Sequence, residues 1–132
     1  MKVLTFGVFD ILHIGHTNLF RNARTFGDYL IVAVQEDESV EKFKPGCHLS
    51  EDYETRARKI LEGGLVDEVV PYSSVGTDIR NMDFDVFVKG PDQIHSGFAE
   101  AVKWCRENGK RVVVVPRTEG VSSTEERVCI EK

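Results

Sequence analysis

The chain has 132 residues, of which 41% are hydrophobic and 30% charged, the composition of an ordinary globular protein. Its formal net charge of -5 argues against sequence-independent nucleic-acid binding, which requires a basic face. The three cysteines are odd in number and form no Cys-x-x-Cys pair, which argues against a disulfide framework and favours reduced thiols.

The amino terminus and the hydrophobic runs bear on location and domain number. The first residues show no signal-peptide pattern, and no apolar run approaches the roughly 20 residues of a membrane-spanning helix. A chain of this length is most simply one domain, here residues 1–132, and can bury a substantial core. We therefore expect a soluble, cytoplasmic, single-domain protein without membrane insertion.

Short β-branched runs alternate with helix-like stretches along the chain. The pattern predicts, in chain order, a strand over 3–6, a helix over 15–25, a strand over 29–34, a helix over 51–62, strands over 66–71 and 85–88, a helix over 99–107, a strand over 111–115 and a last helix over 122–127. Ser50 is the predicted N-cap of the second helix, and Gly63 its stop. This alternation is typical of an α/β fold, a single-domain Rossmann-like three-layer sandwich with a five-stranded parallel sheet.

The segments that follow the predicted strands contain most of the unusual residues of the chain. Ligands of parallel α/β sheets bind beyond the carboxyl ends of the strands, near the point where the strand order reverses. We therefore expect the functional site to be built from residues 7–16, 35–46, 89–95 and 116–124.

Two histidines, His13 and His16, lie three residues apart at the start of the first predicted helix. In one interpretation, one histidine caps the helix or lies at the surface and the other is packed. A metal site would need further ligands, and His48 and His95 have no ligand-like neighbours. In a third interpretation, Gly15 lets a phosphate approach the helix N-terminus, where free N–H groups and two imidazoles stabilise negative charge.

The stretch GVFDILHIGH, residues 7–16, resembles the G-x-F-D-x-x-H-x-G-H signature of the HIGH-type nucleotidyltransferases. That superfamily includes cytidylyltransferases, pantetheine-phosphate adenylyltransferase and the catalytic domains of class I aminoacyl-tRNA synthetases. An H-x-x-H pattern alone is weak, whereas ten positions in this order after a predicted strand are specific.

A second stretch, PRTEGVSST at 116–124, resembles the R-T-x-G-[IV]-S-[ST]-T signature of the cytidylyltransferases. The Arg117 guanidinium is suited to phosphate oxygens, and the serine and threonine hydroxyls lie where the last helix is predicted to begin. Taken alone, this segment is also explained as an ordinary strand-to-helix loop with a good N-cap.

Over nearly its whole length the chain is similar to the bacterial glycerol-3-phosphate cytidylyltransferases. The segment GDYL at 27–30 matches a G-D-x-L entry to the second strand, and YETR at 53–56 matches a Y-E-x-R segment. Lys42 and Lys44 match a K-x-K loop, for which a solvated charged loop is the alternative.

The resemblance implies in-line attack by a phosphorylated acceptor on the α-phosphorus of CTP, with release of pyrophosphate. It also implies magnesium that bridges the CTP phosphates without a dedicated protein cage, and a homodimer. The implied catalytic residues are His13, His16, Lys44 and Arg117. The implied nucleotide contacts are Gly7, Val8, Phe9, Gly15, Gly90, Asp92, Thr118, Ser122, Ser123 and Thr124. The implied substrate contacts are Asp10, Lys42 and Arg56, with a role in the fold equally open for Asp10.

The chain departs from the glycerol-3-phosphate enzymes on the acceptor side. They usually carry Gly-Asp-Asp-Trp where this chain has GPDQ at 90–93, and they carry an arginine near 63–65 and a lysine near 72–76 that are absent here. Arg80, Gln93 and His95 are candidate replacements, with an ordinary surface position as the alternative for each. The candidate acceptors are glycerol 3-phosphate, another polyol or sugar phosphate, a phosphocholine-like compound and a phosphonate, with cell-envelope precursors as the implied pathway.

Two rival functions stay open at this point. An adenylyltransferase of the same superfamily would use ATP in place of CTP, and stabilisation by one nucleotide or the other discriminates them. A catalytically silent nucleotide-binding module with the same fold would release no pyrophosphate with any acceptor.

Overall fold

A computed structural model describes residues 1–43, 49–90, 93 and 96–115, with the backbone alone at 41–43. The strands and helices in this part of the chain alternate as the sequence predicts. In chain order they are β1 (Lys2–Gly7), α1 (Ile14–Arg24), β2 (Tyr29–Gln35), α2 (Asp37–Phe43), α3 (Tyr53–Glu62), β3 (Glu68–Tyr72), α4 (Val75–Asp78), a 3-10 turn (Ile79–Asn81), β4 (Val86–Lys89), α5 (Ser96–Glu107) and β5 (Arg111–Val114).

The five strands form one parallel sheet in the order β3-β2-β1-β4-β5, which confirms the predicted architecture. The chain builds outward from β1 to β2 and β3, then returns to the other side of β1 for β4 and β5. The strand order therefore reverses between β1 and β4, where α/β sheets of this kind open a crevice for ligands.

The pairing of β1 differs on its two sides. Along β2 the register runs through six residue pairs, from Lys2 opposite Tyr29 to Gly7 opposite Val34. Along β4 it includes only Val3 opposite Val86 and Leu4 opposite Phe87. The carboxyl-terminal half of β1 is therefore joined to one neighbour and separated from the other.

Two hydrophobic cores lie on the two faces of the sheet, because successive strand residues point to opposite faces. Val3 belongs to the core beneath α1 and α3, which supply Phe20 and Ile60. Leu4 belongs to the core beneath α4 and α5, which supply Val75 and Phe98 among others. The nearly continuous apolar strands of the sequence are explained by this coverage on both faces.

The start of α3 corrects one prediction. The helix begins at Tyr53, and its N-cap is Asp52, whose carboxylate accepts a hydrogen bond of 2.9 Å from Thr55 N. Ser50, predicted as the cap, lies two residues too early, and its N–H donates to Asp10 instead. Gly63 is the C-cap, as predicted.

The set of helices also differs from the prediction. The short helices α2 and α4 were not predicted, because each has too few residues for a recognisable helical period. The predicted helix over 122–127 lies outside the described residues.

The model also bears on membrane insertion. Within the described ranges, no helix combines the length and the apolar character that crossing a membrane requires.

Candidate active site

The loop that joins β1 to α1, residues 8–13, lies at the carboxyl edge of the sheet and will be called the histidine loop. Phe9 and Ile11 have φ angles of 55° and 53°, in the left-handed region that non-glycine residues rarely occupy. For the β-branched Ile11 this conformation is costly, and it persists only where the surroundings fix it. The local contacts must therefore hold this loop against strain.

The Asp10 carboxylate supplies one set of these contacts. It is fully buried and accepts hydrogen bonds from Ser50 N at 2.9 Å and Glu51 N at 3.0 Å. In return, Ile11 N donates to the Glu51 carboxylate at 3.3 Å. Asp10 therefore ties the histidine loop to the segment before α3, which is a role in the fold. A contact between Asp10 and the nucleotide stays a prediction.

Arg56 of α3 supplies the second set. Its side chain is 0% exposed, and Nη1 donates to the Val8 carbonyl at 2.7 Å. Nη2 donates to the Asp37 carboxylate at 2.5 Å, and Nε donates to the Glu51 carbonyl at 3.1 Å. The structure thus gives Arg56 a positioning role beneath the histidine loop. A contact between Arg56 and substrate stays a prediction.

His13 is the N-cap of α1, because its Nδ1 accepts a hydrogen bond of 3.0 Å from Gly15 N. An accepting Nδ1 carries no proton, so the proton of the neutral ring is assigned to Nε2, which becomes a donor. His13 therefore caps the helix, as the first interpretation expects, and its interaction with an anion stays a prediction.

His16 lies beside His13 in the first turn of α1. The two imidazole rings stack with centroids 3.9 Å apart and an interplanar angle of 21°. The Phe9 ring meets His16 edge-on, with centroids 5.3 Å apart. Both imidazoles thus lie at the positive end of the helix dipole, where negative charge is stabilised.

Gly7, the last residue of β1, makes room for the Phe9 ring. A Cβ atom at residue 7 would lie 2.6 to 2.9 Å from three atoms of that ring, closer than any real contact. The loop conformation that presents His16 therefore requires glycine at this position.

The opposite side of the crevice begins at Gly90, directly after β4. A Cβ atom built on Gly90 would meet no atom of the described residues within 4 Å, so the described part of the chain leaves space above this residue. For Gln93 the sequence left an ordinary surface position as one alternative. Its side chain is half-buried and hydrogen-bonded to Gly90 and to Phe6 of β1. No local sequence pattern indicates these hydrogen bonds, because Phe6 lies 87 positions before Gln93.

The carboxyl ends of β2 and β3, where the resemblance places the acceptor side, carry polar side chains and carboxylates, among them Asp78, which accepts from Ser73 N at 2.7 Å. Ser39 Oγ and Ser73 Oγ are hydrogen-bonded at 2.9 Å, and Gln35 Nε2 donates to the Ser73 carbonyl at 3.0 Å. Gly64, with φ at 78°, forms the turn before β3 and so lies at the amino edge of the sheet, away from the strand ends that build the site. Arg80 is exposed on the 3-10 turn.

Several predicted site residues lie outside the described part of the chain, and their convergence with the histidines stays a prediction. They are Lys44, Asp92, His95, Arg117, Thr118, Ser122, Ser123, Thr124 and the side chain of Lys42. Among the described residues, no group of three or more histidine, cysteine, aspartate or glutamate side chains is arranged to hold a metal ion.

A parallel sheet with a crevice beside β1, and an H-x-G-H pair at the start of the following helix, define a nucleotidyltransferase-type site. The cytidylyltransferase-like family model matches residues 4–128, and the chain belongs to that family.

Two curated relatives show how far this similarity extends. The chain is 39% identical over 127 residues to glycerol-3-phosphate cytidylyltransferase of Bacillus subtilis, covering 93% of this chain and 92% of the relative. It is also 39% identical over 127 residues to the enzyme of the same name from Staphylococcus aureus, covering 93% and 89%.

A solved structure supports the fold. The lipopolysaccharide core biosynthesis protein of Thermoplasma volcanium superposes with a TM-score of 0.72 at 27% identity, covering 89% of this chain and 96% of that chain.

Proposed function

We propose that this protein transfers CMP from the magnesium complex of CTP to a small phosphorylated acceptor and releases pyrophosphate. A phosphate oxygen of the acceptor forms a bond to the α-phosphorus, and the bond from that phosphorus to the β-bridging oxygen breaks. The acceptor phosphate is already anionic, so no side-chain nucleophile is required. Family membership and the two glycerol-3-phosphate cytidylyltransferase relatives support this proposal.

The observation that carries the proposal is the stacked pair of imidazoles at the N-terminus of α1. The pair lies beside the crevice between β1 and β4, where a nucleotide is expected in this fold. In the proposed complex both imidazoles lie against an α-phosphate oxygen, with His13 also capping the helix through Nδ1. Fixed donors aimed at developing negative charge are the main catalytic device available to an enzyme of this kind.

The remaining contacts with the triphosphate belong to the proposal. Lys44 and Arg117 would neutralise its oxygens, with Ser122 and Thr124 assisting through hydroxyl groups. Magnesium enters with the substrate, since it prefers phosphate oxygens and retains several waters. The open space above Gly90 suits close approach of the nucleotide to the backbone.

Glycerol 3-phosphate is the first acceptor to test, because both named relatives act on it by name. The lack of the expected arginine at 63–65 and lysine at 72–76 supports testing other acceptors beside it. With fewer cations in this half, the site has less to hold a second phosphate dianion. A polyol or sugar phosphate, a phosphocholine-like compound and a phosphonate complete the panel.

The test is pyrophosphate release with CTP and magnesium across this panel, repeated with ATP. We expect release with CTP and at least one acceptor, and none when the acceptor is omitted. Release with ATP alone would assign the protein to the adenylyltransferases. No release with any pair would favour the silent nucleotide-binding module.

The homodimer and the cytoplasmic location are proposals that rest on the resemblance alone. Light scattering on the purified protein tests the first, with a molar mass of twice the 14.9 kDa chain as the expected result. Cell fractionation tests the second.

A further inference from the structure

The separation of β1 from β4 leaves main-chain groups that a continuous ladder would have paired. The last pair of the register is Leu4 opposite Phe87. Continued by two residues, the register would bring Phe6 opposite Lys89 and would bond the Phe6 carbonyl to the N–H of Gly90. Buried main-chain groups of this kind need another partner.

The orientation of β1 agrees with this continuation. The Lys2 carbonyl points toward β4, since it accepts a hydrogen bond of 2.8 Å from Asp85 N. Carbonyl direction alternates along a strand, so the Phe6 carbonyl, four residues later, points to the same side.

The side-chain amide of Gln93 lies between the two groups. Gln93 Nε2 donates to the Phe6 carbonyl at 2.7 Å, and Gly90 N donates to Gln93 Oε1 at 3.1 Å. One carboxamide therefore accepts on one side and donates on the other, as a peptide group does between two strands. It occupies the place of the next rung of the ladder.

The main chain of Gln93 is itself held in place. Its N–H donates to the Gly90 carbonyl at 3.3 Å, which closes a turn. Its carbonyl accepts from Lys89 Nζ at 3.0 Å. The Gln93 side chain thus bridges β1 and β4 from a fixed main-chain position. Its length sets the distance between Phe6 and Gly90.

We infer that Gln93 is a positioning residue that sets the width of the crevice between the histidine loop and Gly90, and thereby the affinity for the nucleotide. The expected effect on nucleotide affinity rests on the proposed function. A carboxamide suits this task because it carries a donor and an acceptor and stays neutral at every pH. Glutamate lacks the donor when ionised, and methionine has a similar length without either group.

The first experiment compares wild type with Gln93→Met by hydrogen exchange and by kinetics. In the variant we expect the Gly90 N–H to exchange about tenfold faster, because its acceptor is lost. We expect the KM for CTP to rise about tenfold with little change in kcat, the pattern of lost binding in the ground state and the transition state alike. A purely structural role would lower the melting temperature and leave KM unchanged.

The second experiment uses Gln93→Glu, whose protonated carboxyl restores both a donor and an acceptor. Glutamate has an ordinary pKa of about 4.3, so the variant is ionised at neutral pH. The ratio of its KM for CTP to that of wild type should fall toward one as the pH is lowered from about 7 to about 4, where the carboxyl becomes mostly protonated. The matched control is Asn108→Asp, the same change from amide to acid at the exposed end of α5, where we expect no change in KM.

Two results would contradict the inference, and a third would contradict the proposed function alone. Unchanged Gly90 exchange in Gln93→Met overturns the bridge between the strands. Faster exchange with an unchanged KM overturns its role in setting the crevice. If wild type releases no pyrophosphate with any acceptor, the proposed function fails, and the Gly90 exchange still tests the bridge because it needs no substrate.

Discussion

Strand β1 is held by its two neighbours in different ways. On the β2 side, six residue pairs are joined, and the loop beyond them is fixed by the guanidinium of Arg56, which is 0% exposed. On the β4 side, two pairs are joined, and the half-buried carboxamide of Gln93 bridges the remaining gap.

The difference corresponds to what each side must do. The β2 side supports a strained loop that presents two imidazoles, so it needs a buried charged group with several strong hydrogen bonds. The β4 side must leave space for a ligand, so a neutral bridge holds the walls apart without filling the crevice. Loss of the contacts on the β2 side should therefore reduce the stability of the protein. Loss of the contacts on the β4 side should reduce its affinity for the nucleotide.

The largest effect is expected from Arg56→Met. The change leaves the Val8 and Glu51 carbonyls without their donor, and an unsatisfied buried polar group costs about 1 to 3 kcal/mol. Asp37, whose side chain is 46% exposed, loses its cation but stays solvated. We expect a loss of about 3 kcal/mol in the free energy of unfolding, measured by urea denaturation. Arg58→Met, an exposed position on the same helix, is the control and should change stability little. Equal losses in the two variants would contradict the role of Arg56.

His16→Ala tests the loop that this side supports. Removing one donor to the developing charge should lower kcat by about 10²-fold. The measurement is single-turnover transfer from CTP to the acceptor identified in the panel.

His13→Asn separates capping from catalysis at the neighbouring position. Asparagine is a good N-cap, so the melting temperature should stay near that of wild type while kcat falls about 10²-fold. His13→Ala should lose about 1 kcal/mol of stability in addition. Full activity in His13→Asn would remove this imidazole from the chemistry.

Gly90→Ala tests the β4 side of the crevice. The added methyl group meets no atom of the residues that the structure describes, so an effect on KM without one on stability reports on a ligand that approaches the backbone there. We expect an unchanged melting temperature and a KM for CTP raised about tenfold. The control is Gly63→Ala at the end of α3, where the nearest atom would lie at an ordinary 3.4 Å. An unchanged KM would place the nucleotide away from Gly90.

Thr5→Val tests the packing of β1 itself, the strand that lies between β2 and β4. Thr5 is 0% exposed, and its hydroxyl has no hydrogen-bond partner within the described residues. Replacing an unsatisfied hydroxyl by a methyl group should raise the free energy of unfolding by about 1 kcal/mol without changing kcat. A destabilised variant would show that the hydroxyl bonds to a part of the chain outside those residues.

The smallest effect concerns Asp52, which begins the helix that carries Arg56. The hydrogen bond from Thr55 lowers the pKa of the Asp52 carboxyl below its usual 3.8. A lowered carboxyl pKa adds stability that is present above the usual pKa and is lost as the pH falls through the lowered one. The stability difference between wild type and Asp52→Ala should therefore shrink below about pH 4. A difference that is constant with pH would contradict this cap.

The sheet and the histidine loop were predictable from the sequence for physical reasons. Alternating apolar runs define a parallel sheet because both faces are covered, and the loop follows the first strand in a specific motif. The cap of α3 was misplaced because Ser50 and Asp52 are both good capping residues, and the choice depends on how Asp10 engages Ser50 N.

The two groups that hold β1 were not predictable from local pattern. Arg56 matches a motif on an amphipathic helix, and only the packing of three segments shows that its guanidinium is buried. Gln93 lies where relatives are expected to carry tryptophan, and its partner on β1 lies 87 positions earlier. Both roles depend on contacts between distant parts of the chain, which one sequence does not contain.

The absence of a side chain at Gly7 has a consequence for His16 that needs no direct contact between the two. The Phe9 ring occupies the volume that a methyl group at residue 7 would take, and the edge of the same ring faces the imidazole. Any larger residue at the end of β1 would displace the phenyl group and tilt the imidazole with it. The orientation of the His16 imidazole thus depends on the missing side chain at Gly7, through the Phe9 ring that takes its place.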